Sequence, residues 1–434
     1  KSGRCGRLSG SSGSMSTTSA LVADVGTRMA RLGVCGDDFP RYFAEAVVAE
    51  LESAEDPTGE SQPQSRRFRC DPSPQEAAPA EIRGGADTPD TLEAVLSHGA
   101  AIRLGMSMKE RPFLAVEKVD VKAETREKLA EMCFEKLGVP ALFFAKDAVL
   151  GAYATARATA LVVDCGASST RVVPVIDGWA EQGVMMTSPI GGDLLDAEFA
   201  KRLAAKHPLQ RLRPGYAVKR SYEANGDVAV QEVDAEVLRS VPDSYRHFSV
   251  MSGVREAKET LCLCADTIVQ PGDSRFENLS SVPYELPDMT VVDVGIQKFQ
   301  VPELYFDTSS VLPTKANVAG DHMSHEALPH LVAQVARRCH RDTAQTLLAS
   351  TVVVGGSACF EGFTERLRLE SESVLHATHP SWKVKLLSPE LRERQVAAWL
   401  GGSILASLPT LEQMWVSKAD YDEHGSSIVN KRCP

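Results

Sequence analysis

No pair of cysteines at C-x-x-C spacing occurs in this 434-residue chain, although it carries ten cysteines. Their scatter, without regular His/Cys spacing, excludes a zinc-ribbon or thioredoxin-like framework and reads as reduced thiols of a nuclear or cytosolic compartment. The closest two, Cys262 and Cys264, read as small buried side chains. Positive charge is also short: 47 Lys and Arg against 58 Asp and Glu leave a net charge of −11. With no basic tail or patch, charge-driven binding to nucleic acid is not indicated; partners that themselves bind DNA are untouched by that argument. No apolar run reaches the length of a membrane span. The N-terminal KSGRCGRLSGSSGS lacks the apolar region of a secretory signal. The chain does not begin with Met, Met15 is a candidate start, and residues 1–18 read as a flexible leader.

What is present is ordinary in amount, 43% hydrophobic and 24% charged, and long enough for two core-bearing halves. The informative stretch is Leu161 to Gly178, LVVDCGASSTRVVPVIDG. A β-branched strand reaches Asp164, turns at Gly166 and returns through Val172 and Val175. Such a turn points amide N–H groups inward, making a small anion-binding concavity. One D-x-G is weak, because ordinary hairpins close the same way. Residues 20–36, ALVADVGTRMARLGVCG, repeat it: a strand to Asp24, a turn at Gly26 and Thr27, and a return to Gly33. Two such turns at the starts of successive blocks indicate an internally duplicated ATPase core, with Arg31 placed to reach a phosphate as its cationic partner.

Between and after these turns the chain alternates. Residues 51–90 are rich in Pro, Glu, Gln and Ser and read as a disordered insertion; a helix through Leu92, Val95 and Leu96 follows. VKAETREKLAEMCFEKLGVP is helical and is stopped by Gly138 and Pro140. A helix is expected from Lys146 to Ala156, and another begins at Gly191-Gly192-Asp193. Residues 207–248 read as a second irregular insertion, and Val254 to Leu263 as a short helix setting Lys258 beside Glu259. A third D-x-G at Asp293-Val294-Gly295 reads as a plain hairpin between Thr290–Val292 and Lys298–Val301. One long helix is expected over His325–Leu348; His322, His325 and His330 near its start lack a further ligand at zinc spacing. Thr351 to Ser357 is a buried strand opening through Gly355 and Gly356 into a helix around Phe363 and Leu367. A further glycine pair follows Trp399-Leu400.

Together these segments resemble the actin family. WLGGSILASLPTLEQMWVSKADYDEHGSSIVNKRCP is similar to an actin C-terminus almost residue by residue. DVGTRMARLGVCGDDFP and DCGASSTRVVPVIDGW resemble its two phosphate segments, and VVVGGSACFEGFTERL its adenosine segment. Ser188 to Asp193, Pro214-Gly215-Tyr216, SYRHF and the Cys433-Pro434 ending are similar to nuclear actin-related members rather than to conventional actin. The resemblance implies the actin/Hsp70/sugar-kinase α/β fold: two lobes, each around a mixed five-stranded sheet, flanking a cleft for ATP and Mg²⁺. On that plan residues 19–165 belong to the first lobe, 166–398 to the second, and 399–434 return to the first.

Carried over by position, Asp24, Gly26, Thr27 and Arg31 form one phosphate jaw, and Asp164, Gly166, Ser168 and Ser169 the other. Asp24 and Asp164 would hold Mg²⁺ through water. Gly192, Arg255, Lys258, Glu259, Gly355, Gly356 and Phe360 would surround the nucleoside. Three positions depart from the family: Asp147 stands where actins carry the water-orienting glutamine, Arg171 replaces the histidine sharing that task, and Ala167 replaces an aspartate. The departures imply ATP binding with weak or absent hydrolysis. The resemblance further implies a nuclear, non-catalytic scaffold of chromatin-remodelling and histone-acetyltransferase complexes. Its partners would be an amphipathic helix of a remodeller ATPase (the helicase-SANT-associated type), monomeric actin, other complex subunits and histones. A cytoskeletal, filament-forming ATPase is the rival; the insertion at 51–90, where actin has its filament-contacting loop, speaks against it. A metabolite kinase or chaperone ATPase of the same fold is a third reading, opposed by the actin-like C-terminus.

Overall fold

The computed structural model describes residues 19–51, 67–70, 80–86, 88–205, 212–222, 228–234, 238–239, 241–269, 274–277, 279–310 and 322–434. The leader and much of both insertions lie outside these residues.

Each duplicated turn sits in its own sheet. The first sheet runs Val416–Ser417, Ala141–Lys146, Phe113–Glu117, Leu21–Val25, Met29–Val34, Tyr42–Glu45. The second runs Trp179–Ala180, Thr170–Ile176, Ala160–Cys165, Thr351–Val354, Leu386–Leu387, with Met186–Ser188 branching from Thr170–Ile176. Both are mixed: an antiparallel hairpin (Leu21–Val25 with Met29–Val34; Ala160–Cys165 with Thr170–Ile176) continues into parallel strands. The five-stranded plan holds, with one short strand added to each sheet. Central strands such as Ala141–Lys146 are buried along their whole length, as strands covered on both faces must be.

Two large cores follow from this pattern. One gathers Leu21, Leu32, Phe113, Leu142 and Trp399; the other gathers Leu161, Val163, Phe199, Leu331 and Phe363. A smaller third cluster, including Ala148, Val162, Val354 and Ala397, joins them. The junction depends on glycine. A Cβ on Gly401 would lie 1.9 Å from the Leu150 carbonyl oxygen, and one on Gly402 3.0 Å from Val22. The helix Leu391–Ala406 therefore lies against Asp147–Tyr153 at backbone distance, and the buried Trp399 Nε1–H donates to the Val22 carbonyl at 3.0 Å. The C-terminus packs on the first sheet, where Arg126 Nη1 donates to the Cys433 carbonyl at 2.9 Å.

Four expectations change. The helix expected over His325–Leu348 is two, Leu328–Arg338 and Arg341–Leu348, with Cys339 and His340 extended between them. Within the run Arg337 to Asp342 only Cys339 packs against the core, so little apolar burial holds it helical across the junction. The strand Val291–Val294 pairs backwards with Val282–Glu285, while Gln297–Gln300 is helical. The reason is a turn at Pro287–Met289, closed by the Leu286 N–H to the Thr290 carbonyl at 2.9 Å with Met289 at φ +69°. The short helix at Lys258 starts much earlier, at Asp243, and the preceding insertion contains a hairpin, Val218–Tyr222 with Val228–Glu232. Within the 51–90 insertion, Arg67–Cys70 and Ala80–Gly84 pair on either side of Val47–Leu51, a strand whose Val48 and Ala49 are buried, so these pieces are ordered by an apolar edge. Residues 52–66, 71–79 and 87 of that segment lie outside the described residues.

Candidate functional site

The strand Leu21–Val25 ends by delivering Asp24 to the gap between the sheets, and Ala160–Cys165 delivers Asp164 from the other side. Each turn is closed the same way: the Gly26 N–H donates to the Met29 carbonyl at 2.9 Å, and the Gly166 N–H to that of Ser169 at 3.0 Å. Directly across each hairpin stands an arginine, Arg31 opposite Asp24 and Arg171 opposite Asp164. Arg31 Nη1 donates to Asp24 Oδ2 at 2.9 Å and Arg171 Nη2 to Asp164 Oδ2 at 3.0 Å. The duplication therefore includes an Asp and an Arg seven residues apart, a spacing legible in both segments. The turns touch through Thr27 Oγ1–H donating to Ser168 Oγ at 3.2 Å.

Between them is a cavity of about 660 Å³, of a size that accepts a small ligand. All of the residues expected of the two jaws and of the nucleoside site line it, together with Asp147, Ala167 and Arg171. Its shape rests on glycines. Gly355 is at φ +95°, and a Cβ there would fall 2.3 Å from the Cys165 carbonyl oxygen; one on Gly191 would fall 2.5 Å from that of Ala167. A Cβ on Gly356 would meet no heavy atom within 4 Å, so the missing side chain leaves room. The helix Gly192–Ala204 braces the second turn: the Gly192 and Asp193 N–H groups donate to the Gly166 and Ala167 carbonyls at 3.0 and 2.8 Å. Ser357 Oγ–H adds a third bond to the Gly166 carbonyl, at 3.1 Å.

Lys258 and Arg255 come from one helix and meet Asp196 on another, at 2.7 and 2.9 Å. Arg255 also crosses to Glu45 of the first lobe at 2.6 Å. Beside them, burial pushes the Glu259 carboxyl up, with Lys258 and Arg255 opposing. Arg28 makes a second crossing, Nη2 to Asp193 Oδ1. Arg28, Asp193, Asp196 and Glu45 were not foreseen as site residues; their partners lie tens to hundreds of positions away, and no local spacing marks them.

Arg31, expected to await a phosphate, is engaged with Asp24 and lies 5.5 Å over the Phe43 ring. Asp24 and Asp164 were expected to hold Mg²⁺ through water, which requires free acceptors. Both already accept from guanidinium groups. The buried polar atoms of the lining without a hydrogen-bond partner are the donors Arg28 Nε, Arg31 Nε, Arg171 Nε and Arg171 Nη1 and the acceptor Asp196 Oδ1, which Lys258 approaches to 2.7 Å. Among the described residues no group of three or more His, Cys, Asp or Glu side chains is set to hold a metal. Asp24 and Asp164 each accept through Oδ2, so the second carboxylate oxygen of each is left to meet a water of Mg²⁺.

Arg171 is the hub. It meets Asp147 at 2.8 Å and Asp164 at 3.0 Å through Nη2, with Asp120 at 3.6 Å from Nη1. Burial pushes the Asp164 carboxyl up to about 6, Arg171 opposing it and Asp147 and Asp24 adding to it. Asp24 is raised for the same leading cause. Asp147 thus reaches the cavity already bound to a cation.

The family model described as Actin matches residues 15–434 of the chain. Among curated proteins, "Actin-related protein 4" of Oryza sativa subsp. indica is 34% identical, across 96% of this chain and 98% of its own. "Actin-related protein 4" of Arabidopsis thaliana is 36% identical across 80% of this chain and 77% of its own. That of Schizosaccharomyces pombe is 28% identical across 96% and 97%.

Proposed function

The chain belongs to the actin family, and from that premise we propose that it binds ATP as a clamp with little or no turnover, serving as a scaffold subunit of nuclear chromatin-remodelling and histone-acetyltransferase complexes. The observation that carries the non-catalytic half is the 2.8 Å pair between Arg171 and Asp147. Phosphoryl transfer to water depends on a positioned nucleophile and on charge stabilisation, and a misplaced water costs about a hundredfold in rate. Here the two side chains at the water-orienting positions neutralise each other.

The clamp half follows from linkage. A ligand bound only by the folded, closed body stabilises that body in proportion to its occupancy, and the cavity draws its lining from both lobes. Closed in this way, the two lobes present one rigid surface to a partner. The partners proposed are an amphipathic helix of a remodeller ATPase, monomeric actin, other subunits of the same complexes, and histones. The names of the relatives support the actin-related half of this reading.

Two measurements test it. Steady-state phosphate release should fall far below that of actin, and hydrolysis at actin's rate or faster would overturn the clamp. Affinity purification from nuclear extract should recover remodeller and acetyltransferase subunits; recovery of cytoskeletal proteins alone, or filaments sedimenting under Mg-ATP and salt, would overturn the scaffold.

A further inference from the structure

We propose that the first lobe binds a small, uncharged aromatic molecule in a chamber that opens from the cleft and lies between the first sheet and the two helices above it. The inference stands apart from the nucleotide reading.

The lining of the cleft does not end with the jaws and the nucleoside residues. It continues along Leu92 and Leu96 of the helix Pro89–Ser97, Leu129 of the helix Ala123–Glu131, and Met132 and Cys133 just beyond it. The sheet supplies the other wall. Partners in parallel strands share a face and alternate residues return to it, so register puts Ala23, Phe113, Ala115 and Phe144 on one face. All four line the cavity. The opposite face is filled: a Cβ on Gly402 would come within 3.2 Å of Leu114. On the chamber side Ala115, in a strand paired along both edges, stays half-buried, as do Leu92 and Leu129. An inner strand's alanine keeps exposed surface only where the layer over it leaves a gap. Leu96, Phe113, Met132, Cys133 and Phe144 are no more than 3% exposed and close the inner end.

A second feature marks the same place. The helix Ala123–Glu131 runs on as a π-helix over Met132–Leu137, so the wider turn begins at the two residues that line the chamber. Such turns are rare and occur often at functional sites.

The walls name the ligand class. Among the described residues, none of the buried side-chain nitrogens and oxygens that lack a hydrogen-bond partner belongs to the chamber. Glu117, on the same face, is taken by Arg126 and by Lys146 at 2.8 Å. A charged occupant would lose its hydration without return, and a water needs two or more polar partners to stay. An apolar one gains by leaving water. The rings of Phe113 and Phe144 and the sulfurs of Met132 and Cys133 favour an aromatic molecule. Burial pushes the Cys133 thiol up to about 12, so it serves as a neutral wall and not as a nucleophile. The inner end lies beneath two helices, where a small molecule reaches and a protein segment does not.

The test is titration calorimetry of the full chain with indole as the probe. One saturable site with a Kd of about 0.1 mM is the expected result; no saturable binding overturns the inference. Leu129→Trp places a ring of the probe's own kind in the chamber and should weaken indole at least about tenfold, with a melting temperature at or above that of the wild type. Unchanged affinity in that variant overturns the inference, and indole that ATP displaces but Leu129→Trp still binds sits in the nucleoside site. Should Leu129→Trp not fold, Leu92→Phe, at a half-buried position, makes the same comparison.

Discussion

The two turns that face each other across the cleft share a backbone and differ in what holds them. The turn at Gly166 is braced from behind by three bonds from its own lobe: the Gly192 and Asp193 N–H groups and the Ser357 hydroxyl. Its arginine is engaged by two carboxylates at hydrogen-bond distance and is almost wholly buried. The turn at Gly26 has one such bond, from the Ala46 N–H to the Arg28 carbonyl at 2.7 Å. Its other outward contacts are the crossings themselves, Thr27 to Ser168 and Arg28 to Asp193. Its arginine serves one carboxylate and rests on the exposed Phe43 ring. A preformed jaw thus faces one whose position depends on its partner. Local stability follows the density of buried bonds, so the Gly26 side is the one expected to move when a ligand enters.

The largest expected effect separates the two arginines. Arg171→Gln strands two part-buried carboxylates and should cost about 4 kcal/mol of stability, whereas Arg31→Gln strands one of similar exposure and should cost about 2 kcal/mol. Denaturant midpoints of the two variants measure the gap, and equal losses would dissolve the contrast. The glycines come next. Gly191→Ala forces a Cβ to 2.5 Å from a carbonyl of the braced turn and should cost about 3 kcal/mol, while Gly26→Ala, whose nearest neighbour is at 3.5 Å, should cost under about 1 kcal/mol.

A smaller effect is read through pH. Because burial raises the Asp164 carboxyl from 3.8 to about 6, the folded state favours its protonated form. Its contribution to stability is complete below the unfolded value and is lost as pH rises through about 6. Asp164→Asn removes that dependence. Variant and wild type should be alike near the unfolded value, and the variant should gain on the order of 2 kcal/mol by neutral pH. Thermal melts across this window check the sign; a variant less stable than wild type at neutral pH would mean that the Arg171 bond outweighs burial.

Much of this site was legible in the chain because it is local. Asp24, Gly26, Asp164 and Gly166 sit within hairpins whose apolar strands and turn glycines fix their own geometry, and the glycines at 191 and 355 mark close approaches. The duplication was legible for the same reason, since each sheet begins with a hairpin that needs no distant information, and the two-lobed fold followed from the resemblance to the actin family. What stayed hidden is what the lobes do to each other. Nothing near Arg28 announces Asp193, and nothing near Glu45 announces Arg255. Arg31 and Arg171 read as a phosphate ligand and a departure until register showed each opposite its aspartate. The helix broken at Cys339 and the strand Val291–Val294 were misread where a polar run or a turn left two directions equally open to local pattern.

The smallest expected effect tests the contrast most directly. Thr27→Ala removes one hydrogen bond between exposed hydroxyls, a loss of under about 0.5 kcal/mol in global stability. That bond is, with Arg28 to Asp193, what ties the Gly26 turn to the braced jaw. Its loss should leave the Gly166 N–H as protected from hydrogen exchange as before, since the Gly192, Asp193 and Ser357 bonds to that turn are intact. The Gly26 N–H, bonded only within its own turn, should exchange faster as local openings of that jaw become more frequent. Saturating ATP should restore its protection, because a ligand held from both sides supplies the tie that the hydroxyl gave. Equal loss of protection in both turns would show that they open as one unit, and the distinction between a fixed and a mobile jaw would fall.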